Sequence, residues 1–257
     1  MIHIAAFSRR GVGKPHNEDA LCVAGQLLQG SVSEQWQIAR TTPLLVAVAD
    51  GVAVGTTPRR ASRALINLLL EADIAHKPAY LATQLRAIQA RYASLADTDP
   101  TAAGMASTLV GAVIHGQHCT VFNVGDARAY VRDIAGGMRQ ISHDHTQIQD
   151  MLDAGEVTAE QARHAASIYD QLTGYFLAEA EFEEFRVHVA QCALQQGERL
   201  ILASDGLHEA LSDAEIGVLF VSCSLEVLHH AFRRARQRGG TDDFTVLCVA
   251  SEMRQTL

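Results

Sequence analysis

The sequence predicts an α+β fold, with two antiparallel sheets that carry pairs of helices on their outer faces. Three observations predict it. Strand-like segments stand at the start, the middle and the end of the 257-residue chain. Helix-like segments come in pairs between them, so the regular βαβα alternation of a parallel sheet is missing. Apolar residues make up 48% of the chain, which excludes a disordered or collagen-like polymer and can fill a core between sheets. No internal repeat or Pro/Ser-rich linker interrupts the pattern, so a single domain over residues 1–257 is expected.

The elements follow in order. Residues 1–8 and 19–24 are short and apolar, and read as strands on either side of the loop RRGVGKPHNE. PLLVAVAD (43–50) is a near-continuous apolar run, as in a strand buried on both faces, and it ends in Asp50-Gly51. From Pro58 to about Asp73 the apolar spacing becomes three and four (Ala61, Ala64, Leu65, Leu68, Leu69), a helix with proline in its first turn. A second helix is expected over about 79–95. STLVGAVIHGQHCTVFNVGDARAYVRD then reads as hairpin-linked strands, with turns at 115–118 and at Gly136-Gly137. Residues 146–167 have a polar, helical texture, with Thr158 and Gln161 as a capping box. Strands return at 184–192 and 199–204, helices at 213–221 and 224–237, and FTVLCVA closes the pattern as a strand.

Charge and cysteine usage exclude several functions. Lys and Arg total 21 against 29 Asp and Glu, a net charge of −8, so the basic excess that a nucleic-acid binder needs is missing. Cys22, Cys119, Cys192, Cys223 and Cys248 are odd in number, far apart in sequence and without a CxxC pair. That argues against a disulfide framework and a cysteine-rich zinc site, and fits a reducing compartment. The longest apolar run, Leu44 to Ala49, falls far short of the ~20 residues that cross a bilayer, and no signal-peptide pattern opens the chain. A cytoplasmic protein with no membrane partner is expected.

The chemistry lies in a repeated local design. Apolar strands end in, or run through, small-residue turns that bear an acid at Asp50-Gly51, Gly125-Asp126 and Asp205-Gly206, and a fourth acid pair, Asp242-Asp243, begins a strand. An Asp at the mouth of a rigid strand has a fixed position, and a following Gly admits a close backbone approach. Four such acids gathered at one sheet edge would repel one another unless cations lay between them, and Mg²⁺ or Mn²⁺ suit an all-oxygen set. Asn17-Glu18-Asp19 adds two acids before another strand. A lone Asp-Gly is usually a surface turn; four beside strands are read as a metal site. Rival motifs are weaker. Cys248 and Arg254 have the CxxxxxR spacing of thiolate phosphatases, but no Gly-rich anion loop follows the cysteine. His143, His145, His229 and His230 read as surface residues, and Gly11 and Gly13 are too few for a nucleotide fingerprint.

Seven segments in sequence order carry a family resemblance: FSRRGVGKPHNEDA (7–20), VADGVAVG (48–55), MASTLVGAVI (105–114), FNVGDARAYVRD (122–133), ISHDHTQ (141–147), RLILASDGLHEAL (199–211) and GGTDDFTVLCV (239–249). The chain resembles the metal-dependent serine/threonine protein phosphatases of type 2C in their compact bacterial form. The resemblance implies a four-layer α-β-β-α sandwich. It implies that Asp50, the Gly51 carbonyl, Asp205 and Asp242 hold two Mn²⁺ or Mg²⁺ ions, with Asp126 at a third, weaker site. Glu18 and Asp19 match acids that orient metal-bound waters, and Lys14 stands where the family has a phosphate-gripping Arg. A point charge there replaces a bidentate fork. Asp243 stands in place of an Asn, Ala53-Val54 in place of two Gly, and Ala106 in place of another Gly. Residues 146–185 form a divergent flap. The implied activity is hydrolysis of phosphoserine and phosphothreonine in proteins by direct attack of a water bridging the two ions, with Lys14 holding phosphoryl oxygens and water or His145 protonating the leaving oxygen. The implied partners are a phosphoprotein substrate and a cognate bacterial Ser/Thr kinase, with the enzyme itself a monomer. Two alternatives stand beside it, a non-catalytic phosphatase-like sensor and a small-molecule phosphatase.

Overall fold

The structure is a computed structural model. It describes residues 1–39, 43–52, 57–72, 74, 78–163, 170–179 and 185–251. The strands are β1 (Ile2–Arg9), β2 (Ala20–Val23), β3 (Gln26–Gln29), β4 (Val32–Ile38), β5 (Leu44–Ala49), β6 (Gly51–Val52), β7 (Ala106–Ser107) and β8 (Leu109–His115). They continue with β9 (His118–Val124), β10 (Arg128–Arg132), β11 (Met138–Gln140), β12 (Phe176–Leu177), β13 (His188–Ala193), β14 (Arg199–Ala203) and β15 (Phe244–Ser251). The helices are α1 (Pro58–Glu71), α2 (Pro78–Ala93), α3 (Leu95–Thr98), α4 (Gln147–Asp153), α5 (Ala159–Arg163), α6 (Asp205–His208), α7 (Asp213–Leu219) and α8 (Leu225–Gln237).

One six-stranded sheet has the order β11-β10-β14-β15-β1-β4, and the other has β13-β9-β8-β5-β2-β3. A small third sheet has the order β12-β7-β6, and its β12 lies within the flap segment. The paired strands are antiparallel, for example Phe7 opposite Val246 and Val48 opposite Val110. Between the two large sheets lies a core that includes Ile4, Val48, Val110, Leu200 and Leu247. A second core joins Leu65 and Leu69 of α1 and Leu85 of α2 to the outer side of the β8 sheet. A third joins Leu228 and Ala231 of α8 and Ile216 of α7 to the outer side of the β15 sheet. The layers therefore run α-β-β-α, as the resemblance implies.

β15 shows why its sequence is an unbroken apolar run. Leu247 and Val249 face the inter-sheet core while Val246 and Cys248 face the helices, so both faces of the strand are buried. Thr158 and Gln161 form the expected capping box: the Gln161 amide donates to Thr158 Oγ1 at 3.2 Å and the Thr158 amide to Gln161 Oε1 at 2.8 Å. The expected helix over 146–167 is two pieces, α4 and α5, broken around Gly155 at φ +71°. The second helix ends at Ala93, and Ser94 leads into the separate α3. The strand expected at 184–192 begins at His188. Ala53-Val54, Arg254 and parts of the flap lie outside the described residues. No described helix is long and apolar enough to cross a membrane.

The cysteines, distant in sequence, are not all distant in space. The β9–β13 register sets Cys119 directly opposite Cys192, and Cys223 Sγ lies 3.0 Å from the Cys248 carbonyl oxygen.

Candidate active site

Four acids reach one end of the sandwich from two sheets. Asp50 follows β5, and Asp126 lies in the turn from β9 to β10. Both strands flank β8 in the same sheet. Asp205 opens α6 after β14, and Asp242 stands just before β15, the neighbour of β14 in the other sheet. The loop between β1 and β2 covers the same end, because Arg9 pairs with Phe244 and Ala20 with Ala49. The acids thus meet at strand ends between the sheets, where a single sheet edge was expected. Lys14, Glu18, Asp50, Gly51, Asp126, Asp205 and Asp242 all line one cavity of about 180 Å³, together with Thr108.

Asp19 lies behind this wall and is fully buried. Its Oδ2 accepts a hydrogen bond from Ser204 Oγ at 2.9 Å, and Ser204 Oγ in turn accepts from the Thr245 amide at 3.1 Å. Its Oδ1 is buried with no hydrogen-bond partner among the described residues. Burial, reinforced by the charge of Asp243, pushes the Asp19 carboxyl up to about 6.

The glycines after the acids serve backbone packing more than ligand approach. A Cβ on Gly51 would lie 2.0 Å from the Pro58 carbonyl oxygen, and one on Gly206 would lie 1.9 Å from the Asp243 carbonyl oxygen. Main chains therefore cross in direct contact beneath the acids, and any side chain would separate them.

Lys14 is the cation of this group. Its Nζ is 2.8 Å from Glu18 Oε2 and 3.1 Å from Asp243 Oδ2, and it also pairs with Asp242. Burial disfavours the ammonium, but the bonds to Asp242 and Glu18 outweigh that cost and hold its pKa above the usual lysine range. Asp243, noted in the sequence as half of an acid pair and as a departure from the family's Asn, ties the loop down. Its Oδ1 accepts from the Gly11 amide at 2.6 Å, and its Oδ2 accepts from the Glu18 amide at 2.8 Å. Sequence reasoning did not assign it this loop-tying role; its position as the one departure inside the last motif was the available signal.

Among the described residues no salt bridge holds Asp50, Asp126 or Asp205, although the charge of Arg128 acts against the rise at Asp126. Burial, then the charges of Asp205, Asp19 and Asp126, raise Asp50 well above the usual carboxylate range. Burial, then Asp126 and Asp242, do the same to Asp205. Asp126 is pushed up to about 7 by burial and by Asp144. Asp144 itself is held by Arg128, whose Nε donates to its Oδ2 at 2.8 Å.

His145 is buried and its Nδ1 accepts from the Gly125 amide at 3.1 Å, so it buttresses the Asp126 turn as a neutral ring. Burial, with the charge of His143, lowers it to about 4. It does not line the cavity, which removes it as the acid for a leaving group. His143 pairs with Asp153 and His229 with Ser33, away from the acids. Cys248 is fully buried in mid-strand, and the Cys223 contact together with burial raises its thiol well above the usual range, so it is not a nucleophile.

The family model for protein phosphatase 2C matches residues 22–243. The chain belongs to the protein phosphatase 2C family. It is 28% identical over 256 residues to the serine/threonine protein phosphatase PstP of Mycobacterium tuberculosis, covering 96% of this chain and 44% of that protein. This chain therefore spans less than half the length of that relative. It is 26% identical over 268 residues to the serine/threonine phosphatase stp of Listeria innocua, covering 99% of this chain and 98% of that one. Among solved structures it is similar to the catalytic domain of PstP in complex with two manganese ions, at a TM-score of 0.72 and 26% identity, covering 97% of this chain and 99% of that one.

The cavity of this chain fits hard cations. The donors are all oxygen, the buried Asp19 Oδ1 has no partner among the described residues, and burial, then the neighbouring acids, raise Asp50 and Asp205. Among the described residues no three His, Cys, Asp or Glu side chains form a ready-made cage; Lys14 stands among three of the acids instead.

Proposed function

We propose that this protein hydrolyses phosphoserine and phosphothreonine in proteins, with Mn²⁺ or Mg²⁺, and that it opposes a Ser/Thr kinase. The observation that supports this reading best is the cavity wall itself, where Glu18, Asp50, Asp126, Asp205 and Asp242 face one space with Lys14 among them. Asp50, the Gly51 carbonyl, Asp205 and Asp242 would hold two cations, and Asp126 a third. Bound divalent cations polarise phosphoryl oxygens and lower the pKa of water toward neutrality. The chain supplies the rest. Lys14 offers rotatable donors at the cavity wall for the non-bridging phosphoryl oxygens. Asp243 fixes the loop that carries Lys14 and Glu18, and so their reach. Asp19, buried behind, keeps Oδ1 without a hydrogen-bond partner among the described residues, and would orient cation-bound water. Among the described residues no Cys or His lines the cavity, which favours direct hydrolysis. Residues 1–257 act in this reading as one catalytic unit. The sensor alternative would be favoured by lost acids, and here they are all present.

The test is hydrolysis of p-nitrophenyl phosphate and a phosphothreonine peptide, with and without Mn²⁺ or Mg²⁺. Activity is expected only with added cation. Asp50→Asn and Asp205→Asn should each abolish turnover, while the metal-free variants melt at or above the wild-type temperature because repulsion is relieved. Full turnover by demetallated protein in excess EDTA overturns the reading.

A further inference from the structure

A second cavity, of about 380 Å³, adjoins the acidic one, and Glu18 lines both. Its wall is built by the start of α1, with Thr57, Pro58, Arg59, Arg60 and Arg63, and by Gln29, whose Nε2 donates to the Arg59 carbonyl oxygen at 2.8 Å. In a chain of net charge −8, three arginines on one cleft are a local reversal of sign. Arg60 is engaged, donating from Nη1 to Thr101 Oγ1 at 2.7 Å and pairing with Asp99. Arg59 and Arg63 are exposed, and neither pairs with a carboxylate among the described residues. Arg59, in the first turn of α1, faces the positive end of the helix dipole, and no acid stands in that turn to offset it; Arg63 follows about one turn later on the same cleft. Two polar atoms on the same wall, Gln29 Oε1 and Thr57 Oγ1, are buried without a hydrogen-bond partner among the described residues. The cleft therefore offers exposed guanidinium donors to something that would bring carboxylates. On the side facing the first cavity Glu18 does not repel such a ligand, because its carboxylate is bonded to Lys14 at 2.8 Å.

Resting on the phosphatase reading, we infer that this cleft selects substrates: it binds acidic residues, Asp or Glu, that flank the phosphorylated residue of the polypeptide. A chain presenting its phosphate to the acidic cavity passes over Glu18 and reaches Arg59 and Arg63. The contacts are exposed, so each contributes modestly and the preference is salt-sensitive.

The experiment compares three phosphothreonine peptides that differ only in having Glu, Gln or Lys at the flanking positions, with p-nitrophenyl phosphate as a substrate too small to reach the cleft. Wild-type protein with Mn²⁺ should favour the Glu peptide over the Gln peptide roughly five- to tenfold in kcat/KM, mainly through KM. The double variant Arg59→Gln/Arg63→Gln should lose that preference and keep p-nitrophenyl phosphate turnover. Fluorescence anisotropy of an unphosphorylated Glu-rich peptide, on wild type and on the double variant, reads the cleft without turnover. Equal kcat/KM for the Glu and Gln peptides, or a preference that survives the double variant, overturns the inference. Turnover of no substrate overturns the phosphatase reading instead. In that event, anisotropy that is unchanged by the double variant overturns the cleft as well, and binding lost with the two arginines upholds it.

Discussion

Replacing Asp243 by Asn, the residue of the resembling family, should damage this protein. Asp243 presents two acceptor oxygens to three donors: the Gly11 amide at 2.6 Å, the Glu18 amide at 2.8 Å and Lys14 Nζ at 3.1 Å. An Asn keeps one acceptor and sets an NH₂ group where the other was. If its oxygen stays with Glu18 and Lys14, the buried Gly11 amide faces another donor. If it turns to Gly11, the Glu18 amide and the ammonium do. Losing one bond to a carboxylate costs about 1.5–3 kcal/mol, and easing the repulsion on Asp19 returns a fraction of that. A net loss of about 2 kcal/mol should lower Tm by roughly 4–8 °C in a chain of this size. Because the loop carries Lys14 and Glu18, kcat/KM on a phosphothreonine peptide should fall at least tenfold. The assays are calorimetry on the metal-free protein and steady-state kinetics with saturating Mn²⁺. A Tm within about 1 °C of wild type and unchanged kinetics would show that the loop is held by other contacts.

Further outcomes are expected. Asp126, at about 7, and Asp50 and Asp205, held well above the usual range, bind protons more tightly folded than unfolded. Their contribution is full below the unfolded carboxylate pKa and is lost as pH rises through the folded values, so metal-free Tm should fall between pH 6.5 and 8. His145, lowered to about 4, is neutral when folded, while its unfolded ring still binds protons near pH 6.5; this adds a small opposing slope that fades as pH rises further. A flat or rising Tm there contradicts the electrostatics, and added Mn²⁺ should remove the fall. Lys14→Ala should raise KM for phosphopeptides and lower metal-free Tm, since it strips the ammonium from Glu18, Asp242 and Asp243; Lys14→Arg should keep activity. Unchanged kcat/KM and Tm in Lys14→Ala would leave that lysine without a role. Cys248→Ala should keep kcat/KM within about twofold, because its thiol is buried in β15; loss of turnover with an unchanged melt would restore the thiolate reading.

The legible parts of the fold are those whose burial is two-sided. β5 and β15 announce themselves as continuous apolar runs because the sheets are covered on both faces. β3, QLLQ, and β4, VSEQWQI, passed unread because they are the outermost strands of the two sheets, where one side is open and polar residues are tolerated. The acids beside glycines were legible because strand ends position them without help from distant residues. Asp243 was not, since its partner Gly11 is 232 positions away and only the folded loop brings them together. Arg59 and Arg63 read as an ordinary solvated helix face until the neighbouring cleft is seen.

Two carboxylates from each sheet make the distance between the sheets a ruler for the distance between the acids. The graduations on that ruler are methyl groups: Val48 stands two residues before Asp50, and Leu247 lies five residues after Asp242 in the packed layer between the sheets. Trimming either side chain would let the layers settle toward one another and shift acids that neither side chain touches. Tuning of the catalytic centre is therefore open to greasy interior positions far from any charge, and a screen confined to the mouth of the site would overlook them.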